Sequence, residues 1–400
     1  MTSEVKQARP GTRLRRLVAG LLLLGSSVVV SLGLFEGLLR LAPGLMPETA
    51  RVYARRQNEG GWQVGTLPHP YIGYLYPANV ENTVESRYVA FTYRTDAFGF
   101  RNSRPWPQRA EIVALGDSIT FSYGVDEDRA WTTLIQKALP RSRLLNLGLP
   151  GAAPQQYLRI YETYGLSFQP RLLLVGLFPG NDLKDAAEFD AWVNSGAGGN
   201  YDLWRSFRVS APGLQYLFAG LTKRSYLFAF LLDRLRSGRS EYSSRTLAIS
   251  LNDGNRLLLV PGLLKDLAER ATPDKQEFRL ILRTLERLHS LAAEHGTRSI
   301  VLLFPTKEEI YLPLVAHGYA SDPSAPIRAA LNLHGIPYVD LTPHFRGQAA
   351  ADRALFFETD GHPNARGYAL IAEVVLSHLK ANSRKYGLKD WETDSSPPGS

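Results

Sequence analysis

Ser118 lies in the run Gly116-Asp117-Ser118-Ile119-Thr120, directly after the apolar stretch Ile112-Val113-Ala114-Leu115. Such a stretch reads as a buried strand, and the exit of a parallel strand is where open α/β sheets bind their ligands. A serine hydroxyl is a poor nucleophile until a base removes its proton. His362, in Asp360-Gly361-His362-Pro363-Asn364, can be that base. Asp360, two residues earlier, can fix the imidazole tautomer and stabilise the imidazolium. A second reading of Asp360 makes it the cap of the last helix and leaves Ser118 and His362 as a dyad. Either way the residue types point to acyl transfer through a covalent acyl-serine. The carbonyl oxygen becomes an anion on attack and must meet preorganised donors.

Other chemistries find less support. Gly-x-Ser-x-Gly is not present around Ser118, and no phosphate-binding Gly-x-Gly-x-x-Gly or Walker loop follows the first strand. The chain has no cysteine, which excludes thiolate catalysis, thiolate metal sites and disulfides. Asp360 and His362 have no evident third metal ligand at a matching spacing, so neither a metal nor a cofactor is expected. His289 and His378 fall on polar helix faces and are expected to be solvated. His344 follows a strand and reads mainly as a structural residue. Asp117 and Asp182 are expected to hold loops through backbone hydrogen bonds.

The elements that must position Ser118 and His362 alternate from residue 111 onward. Strands are predicted at 111–116, 143–148, 171–178, 298–304 and 337–341. Helices are predicted near 128–139, 153–164, 273–294, 323–334 and 365–382. The 273–294 helix has Thr272 as its expected cap, Pro273 in its first turn, and Phe278, Ile281, Leu282, Leu285 and Leu288 along one face. Alternating strands and helices imply a parallel sheet covered on both sides. Residues 186–269 break this pattern and read as an inserted helical cap over the site. Residues 42–109, rich in Pro, Gly and Tyr, read as an extension whose tyrosines are mainly packing residues, with a groove-lining role as the alternative. Residues 384–400 read as a disordered tail.

The four blocks that carry this chemistry resemble those of SGNH (GDSL-type) hydrolases. They are Gly116-Asp117-Ser118-Ile119-Thr120, Asn146-Leu147-Gly148-Leu149-Pro150-Gly151, Gly180-Asn181-Asp182 and Asp360-Gly361-His362-Pro363-Asn364. The resemblance covers roughly residues 110–185 and 270–382 of a domain spanning 110–383. It implies a flavodoxin-like three-layer α/β/α fold with a parallel sheet. It also implies an oxyanion hole made by the backbone N–H groups of Ser118 and Gly151 and the side-chain amide of Asn181. Gly148 reads as a tight turn. The commoner family spacing is Asp-x-x-His; here position 359 is Thr, and the shorter Asp-x-His spacing selects Asp360.

The 400 residues carry a net charge of +8, and five basic residues against Glu4 fall in the first 16. No dense basic face for nucleic acid is evident elsewhere. The stretch 17–41 is almost wholly apolar and exceeds the ~20 residues needed to cross a bilayer. The basic segment 1–16 before it predicts a cytoplasmic N-terminus and an exported body, hence a single-pass inner-membrane protein of bacterial type. A cleaved signal peptide is the alternative. Glu36 and Arg40 are spaced to pair, with Glu36 as a snorkelling end residue. The expected activity is a serine esterase on O-acyl groups of glycans or lipids. Acyl transfer to cell-envelope polysaccharide and an inactive glycan- or lipid-binding module are the alternatives.

Overall fold

A computed structural model describes residues 10–46, 65–85, 89–102, 106–207, 211–237, 246–315 and 322–388. Five strands form one parallel sheet: β1 (Ile112–Gly116), β2 (Leu144–Gly148), β3 (Leu172–Leu177), β4 (Arg298–Leu303) and β5 (Tyr338–Asp340). Their spatial order is β2-β1-β3-β4-β5. That is the flavodoxin-like order, with its switch point between β1 and β3. Every residue of β1, β2 and β3 is buried, as a sheet covered on both faces requires.

Strand alternation divides the core. Val113 and Leu115 join Leu173, Val175 and Val301 beneath the Gln276–Glu294 helix, which contributes Phe278, Ile281, Leu285 and Leu288. Ile112 and Ala114 point the other way, to Trp131, Ile135, Ile371 and Val375. The result is three-layer α/β/α. The Gln276–Glu294 helix starts later than its sequence suggested. Lys275 N–H donates to the Thr272 carbonyl in a turn, and the Thr272 hydroxyl donates to Glu269, so Thr272 caps nothing. The helix is held by its buried stripe instead, at about 1.5–3 kcal/mol for each large apolar side chain.

Residues 60–216 and 241–400 form one compact unit; residues 1–59 and 217–240 form another. In the larger unit the extension makes two antiparallel pairs, Leu67–His69 with Gly73–Leu75 and Glu81–Glu85 with Ala90–Arg94. Tyr74, Tyr76 and Tyr93 are buried in the core, so these tyrosines are packing residues. The buried Arg101 guanidinium donates to the carbonyls of Phe121, Ser122 and Val125 at 2.8–3.1 Å, just beyond the helix that starts at Ser118. A cation suits the carbonyl end of a helix. The extension therefore supports the site directly.

Three sequence expectations need correction. Residues 186–269 are largely helical, with helices Tyr201–Phe207, Pro212–Arg224, Tyr226–Ser237 and Pro261–Arg270, but not wholly so. They begin inside the Pro179–Asn194 helix and include the hairpin Leu247–Ser250 and Arg256–Leu259, whose Ile249, Leu257 and Leu259 belong to the core beside the sheet. The tail is ordered at its start: Ser383–Tyr386 is a helical turn, and Tyr386 and Leu388 are buried. Residues 389–400 lie outside the described residues. His289 and His378 are half-buried and each has a protein partner: His289 Nδ1 bonds the Ser299 hydroxyl at 2.7 Å and His378 Nε2 the Tyr386 hydroxyl at 2.9 Å. His344 is exposed on the Thr342–Ala349 helix.

In the smaller unit the helix Pro10–Leu41 contains a segment, Arg15–Leu41, long and apolar enough to cross a membrane, with mean hydropathy 2.3 over its most apolar 18 residues. Glu36 and Arg40 pair at 2.6 Å as their spacing predicts. Glu36 does more than snorkel. It accepts from the Ser225 hydroxyl at 2.8 Å and from the N–H groups of Tyr226 and Leu227 at 3.1 and 2.8 Å. Those N–H groups open the Tyr226–Ser237 helix, so Glu36 is its cap.

Candidate active site

Ser118 opens a short helix at the carboxyl end of β1, and Asn181 lies in the first turn of the helix after β3. The two flank the switch point of the sheet. Asp117 caps the Ser118 helix by accepting from Ile119 N–H at 2.8 Å. Gly148, at the end of β2, is not a turn. A Cβ there would lie 2.5 Å from Phe121 N, so glycine is what lets β2 pack against the Ser118 helix.

His362 arrives from the far end of the chain on a loop closed by two backbone bonds, Phe357 N–H to His362 and Asn364 N–H to Leu355. Its Nε2 is 2.7 Å from Ser118 Oγ, and its Nδ1 is 2.5 Å from Asp360 Oδ1. The same Asp360 oxygen accepts from His362 N–H at 2.8 Å. The helix-cap alternative for Asp360 is overturned, since Asn364 caps that helix by accepting from Arg366 and Gly367 N–H groups. Tyr123 lies against the imidazole with ring centroids 4.8 Å apart.

The electrostatics follow from burial and partners. Burial pushes Asp360 up, but the His362 charge, the two bonds from His362 and the Lys307 ammonium hold it well below the usual carboxylate range. Burial pushes His362 down; the charge and hydrogen bond of Asp360 more than offset it and leave the imidazole above its ordinary value. A neutral Nε2 then accepts the Ser118 proton, and the resulting cation has a carboxylate beside it.

The structure brings Ser118, Gly151 and Asn181 to the same end of the sheet, with one difference from expectation. Asn181 Nδ2 faces two carboxylates, Asp117 Oδ2 at 3.1 Å and Asp185 Oδ2 at 3.2 Å, and the buried Oδ1 has no partner among the described residues. Burial pushes Asp185 up to about 7, with like-charged neighbours adding to it and Arg205 opposing. Asp182 accepts from Phe178 N–H and the Tyr157 hydroxyl, each at 2.7 Å, and so holds the loop as expected. The N–H of Ser118 is the first of its helix, where no intrahelical partner exists. Gly151, in a turn with φ +74°, has an N–H without a partner among the described residues. Among the described residues no group of three or more His, Cys, Asp or Glu side chains could hold a metal ion.

Sequence reasoning missed Lys307. It is 2% exposed, and its ammonium donates to the carbonyls of Phe357, Glu358 and Asp360 at 3.1–3.3 Å. Burial pulls its pKa down. Three charge-assisted bonds fix the loop that carries Asp360 and His362. Lys307→Met keeps the length but removes all three donors. It is expected to cost about 1–3 kcal/mol, seen as a lower Tm, and to lower kcat about tenfold by loosening the loop. Thermal melts beside turnover measurements check this; unchanged values in both contradict the assignment.

A family model of the GDSL-like lipase/acylhydrolases matches residues 114–370. Among solved structures the chain is similar to a lipolytic protein of the G-D-S-L family from Veillonella parvula, at 16% identity over 67% of this chain and 97% of that one, TM-score 0.35. It is similar to an acetyl xylan esterase, AlAXEase, at 13% identity over 67% and 99%, TM-score 0.36. A lipase/acylhydrolase from Enterococcus faecalis matches at 14% identity over 68% and 96%, TM-score 0.34. No curated protein sequence matches it. The family match spans more than half of the chain, which therefore belongs to the GDSL-like lipase/acylhydrolase family of ester hydrolases.

Proposed function

We propose that this chain is a serine esterase acting on O-acyl groups of a glycan or lipid, with Ser118 as nucleophile, His362 as base and Asp360 as its orienting partner. The observation that carries the reading is the unbroken line from Ser118 Oγ to His362 to Asp360, at 2.7 and 2.5 Å. Ser118 Oγ attacks the acyl carbon as His362 Nε2 takes its proton. The tetrahedral intermediate collapses, and the leaving alcohol receives that proton. Water then attacks the acyl-serine and gives its proton to His362, which passes it to Ser118 Oγ as the acyl C–O bond breaks and the acid leaves. The N–H groups of Ser118 and Gly151 and one Nδ2 hydrogen of Asn181 stabilise the oxyanion. Asn181 exchanges one of its carboxylate contacts for the oxyanion when substrate binds.

The apolar helix Arg15–Leu41, with the basic residues before it, supports an inner-membrane anchor and an extracytoplasmic catalytic domain. Such a place favours acylated cell-envelope glycans or lipids as substrates. Detergent-solubilised full chain should release acid from short-chain acyl esters and acetylated oligosaccharides, with Asn181→Ala lowering kcat about 10²-fold. Reporter fusions after residue 65 should show export. No acid from any ester in the panel contradicts the esterase reading, and reporters active only in the cytoplasm contradict the topology. Transfer to a glycan hydroxyl in place of water uses the same acyl-enzyme. Adding an acetyl donor and an oligosaccharide to the assay distinguishes the two outcomes.

A further inference from the structure

The turn Pro150-Gly151-Ala152 is held from two sides by residues outside the four family blocks. Tyr74, from the extension, is 1% exposed, and its hydroxyl donates to the Pro150 carbonyl at 2.7 Å. Arg205, from the Tyr201–Phe207 helix, donates through Nη1 to the Gly151 carbonyl at 2.8 Å. These are consecutive peptide units. The Pro150 carbonyl belongs to the unit that carries Gly151 N–H; the Gly151 carbonyl belongs to the next. The side chains also occupy the space a side chain at 151 would need. A Cβ there would lie 2.6 Å from Arg205 Nη2 and 3.3 Å from the Tyr74 hydroxyl.

We propose that Tyr74 and Arg205 are positioning residues of the oxyanion hole: they clamp the two peptide units around Gly151 and aim its N–H at the developing oxyanion. The proposal rests on the reading of Gly151 as an oxyanion donor. In a trans peptide the carbonyl and N–H point in opposite directions, so a donor fixed on the Pro150 carbonyl fixes the opposite heading of Gly151 N–H. A hydrogen bond to that carbonyl also polarises the unit and makes its N–H a better donor. Tyr74 remains a donor at working pH, since burial pushes its phenol well above the ordinary value.

Arg205 reaches a second donor as well. Its guanidinium lies 3.6 Å from Asp185 and 3.3 Å from Asp202, and it stacks over the Tyr201 ring at 5.5 Å. Asp185 in turn accepts from Asn181 Nδ2 at 3.2 Å. One partly buried network therefore runs from Gly151 through Arg205 and Asp185 to Asn181. Preorganised donors stabilise a transition state because they need not reorient during the reaction. Parts of the chain outside the four blocks, the extension and residue 205, thus supply that rigidity.

The test uses the full chain in detergent with Tyr74→Phe, Arg205→Met and Arg205→Lys. Each is assayed for kcat and KM on an acetyl ester, and for affinity of a trifluoromethyl ketone that forms a tetrahedral adduct on the serine. Tyr74→Phe keeps the ring and removes one hydroxyl, so it is expected to melt within a few degrees of the parent. Its kcat should fall about tenfold with KM within about twofold, a smaller loss than removing a donor itself. Arg205→Met should lose more, and Arg205→Lys should recover part of it. Adduct affinity should fall in step with kcat/KM in every variant, which a general loss of packing does not produce. Unchanged kcat and adduct affinity in both Tyr74→Phe and Arg205→Met overturn the proposal. So does a fall in kcat with adduct affinity intact. If Ser118→Ala still hydrolyses the ester, the esterase reading itself fails; if Ser118→Ala is inactive and Tyr74→Phe fully active, only the clamp fails.

Discussion

Ser118→Ala and His362→Ala are each expected to lower kcat for ester hydrolysis by at least about 10³-fold. Removing Ser118 Oγ removes the atom that forms the acyl-enzyme. Removing His362 leaves Oγ with only the Asp117 carboxylate, at the longer distance of 3.4 Å. Asp117 is already engaged in capping Ile119 and meeting Asn181. The two losses should not add in the double variant, because serine and histidine act in one step. Folding should be little affected by Ser118→Ala, which deletes a single atom. Turnover of the two single variants and the double variant checks the prediction. A double variant much slower than either single one contradicts a shared step.

Asp360→Asn carries the second large effect, a fall in kcat of about 10²–10⁴-fold. Asp360 Oδ1 receives both the backbone N–H and Nδ1 of His362. An amide placed with its NH2 toward Nδ1 makes Nδ1 the acceptor and protonates Nε2, which then cannot take the Ser118 proton. The pH profile adds a separate signature. In the parent, Asp360 holds His362 above its ordinary value against the effect of burial. The base must be neutral to act, so kcat/KM should rise with pH through an apparent pKa above about 6.5. Without the carboxylate, burial prevails, and the acid limb should move below that value. An acid limb that does not move, or full activity in Asp360→Asn, assigns the third role to another group.

Much of the fold can be read along the chain. Each central strand is a run of apolar residues bounded by turns, and covering both faces of a parallel sheet demands that composition. Ser118 and Asn181 were legible because each follows such a strand closely, and His362 because of its Asp-x-His spacing just before the last long helix. Thr272 misled because Ser and Thr cap helices only where the backbone leaves the turn correctly; here residues 272–275 make a turn of their own. Residues 186–269 misled because their Gly-rich start hides a change of role: part extends the helix after β3 and part supplies a hairpin to the core.

Lys307, Tyr74 and Arg205 were not legible, for a common reason. Each acts on backbone carbonyls distant in sequence, and a carbonyl carries no sequence signal. Lys307 had one local cue. Thr306 and Glu309 form a reciprocal cap, with Thr306 N–H to Glu309 at 3.0 Å and Glu309 N–H to the Thr306 hydroxyl at 3.1 Å. That Thr-x-x-Glu spacing starts a helix near the carboxyl end of β4, close to where ligands bind in this class of sheet. A lysine in its first turn is poorly placed for the helix dipole, which points to a role outside the helix.

Reaction of the full chain with a fluorophosphonate, followed by peptide mass spectrometry, decides whether Ser118 is the nucleophile. One phosphonyl group is expected, on the peptide containing Ser118. Labelling should be abolished by Ser118→Ala and slowed strongly by His362→Ala. Ester hydrolysis by a chain labelled on another serine, or on none, contradicts that role.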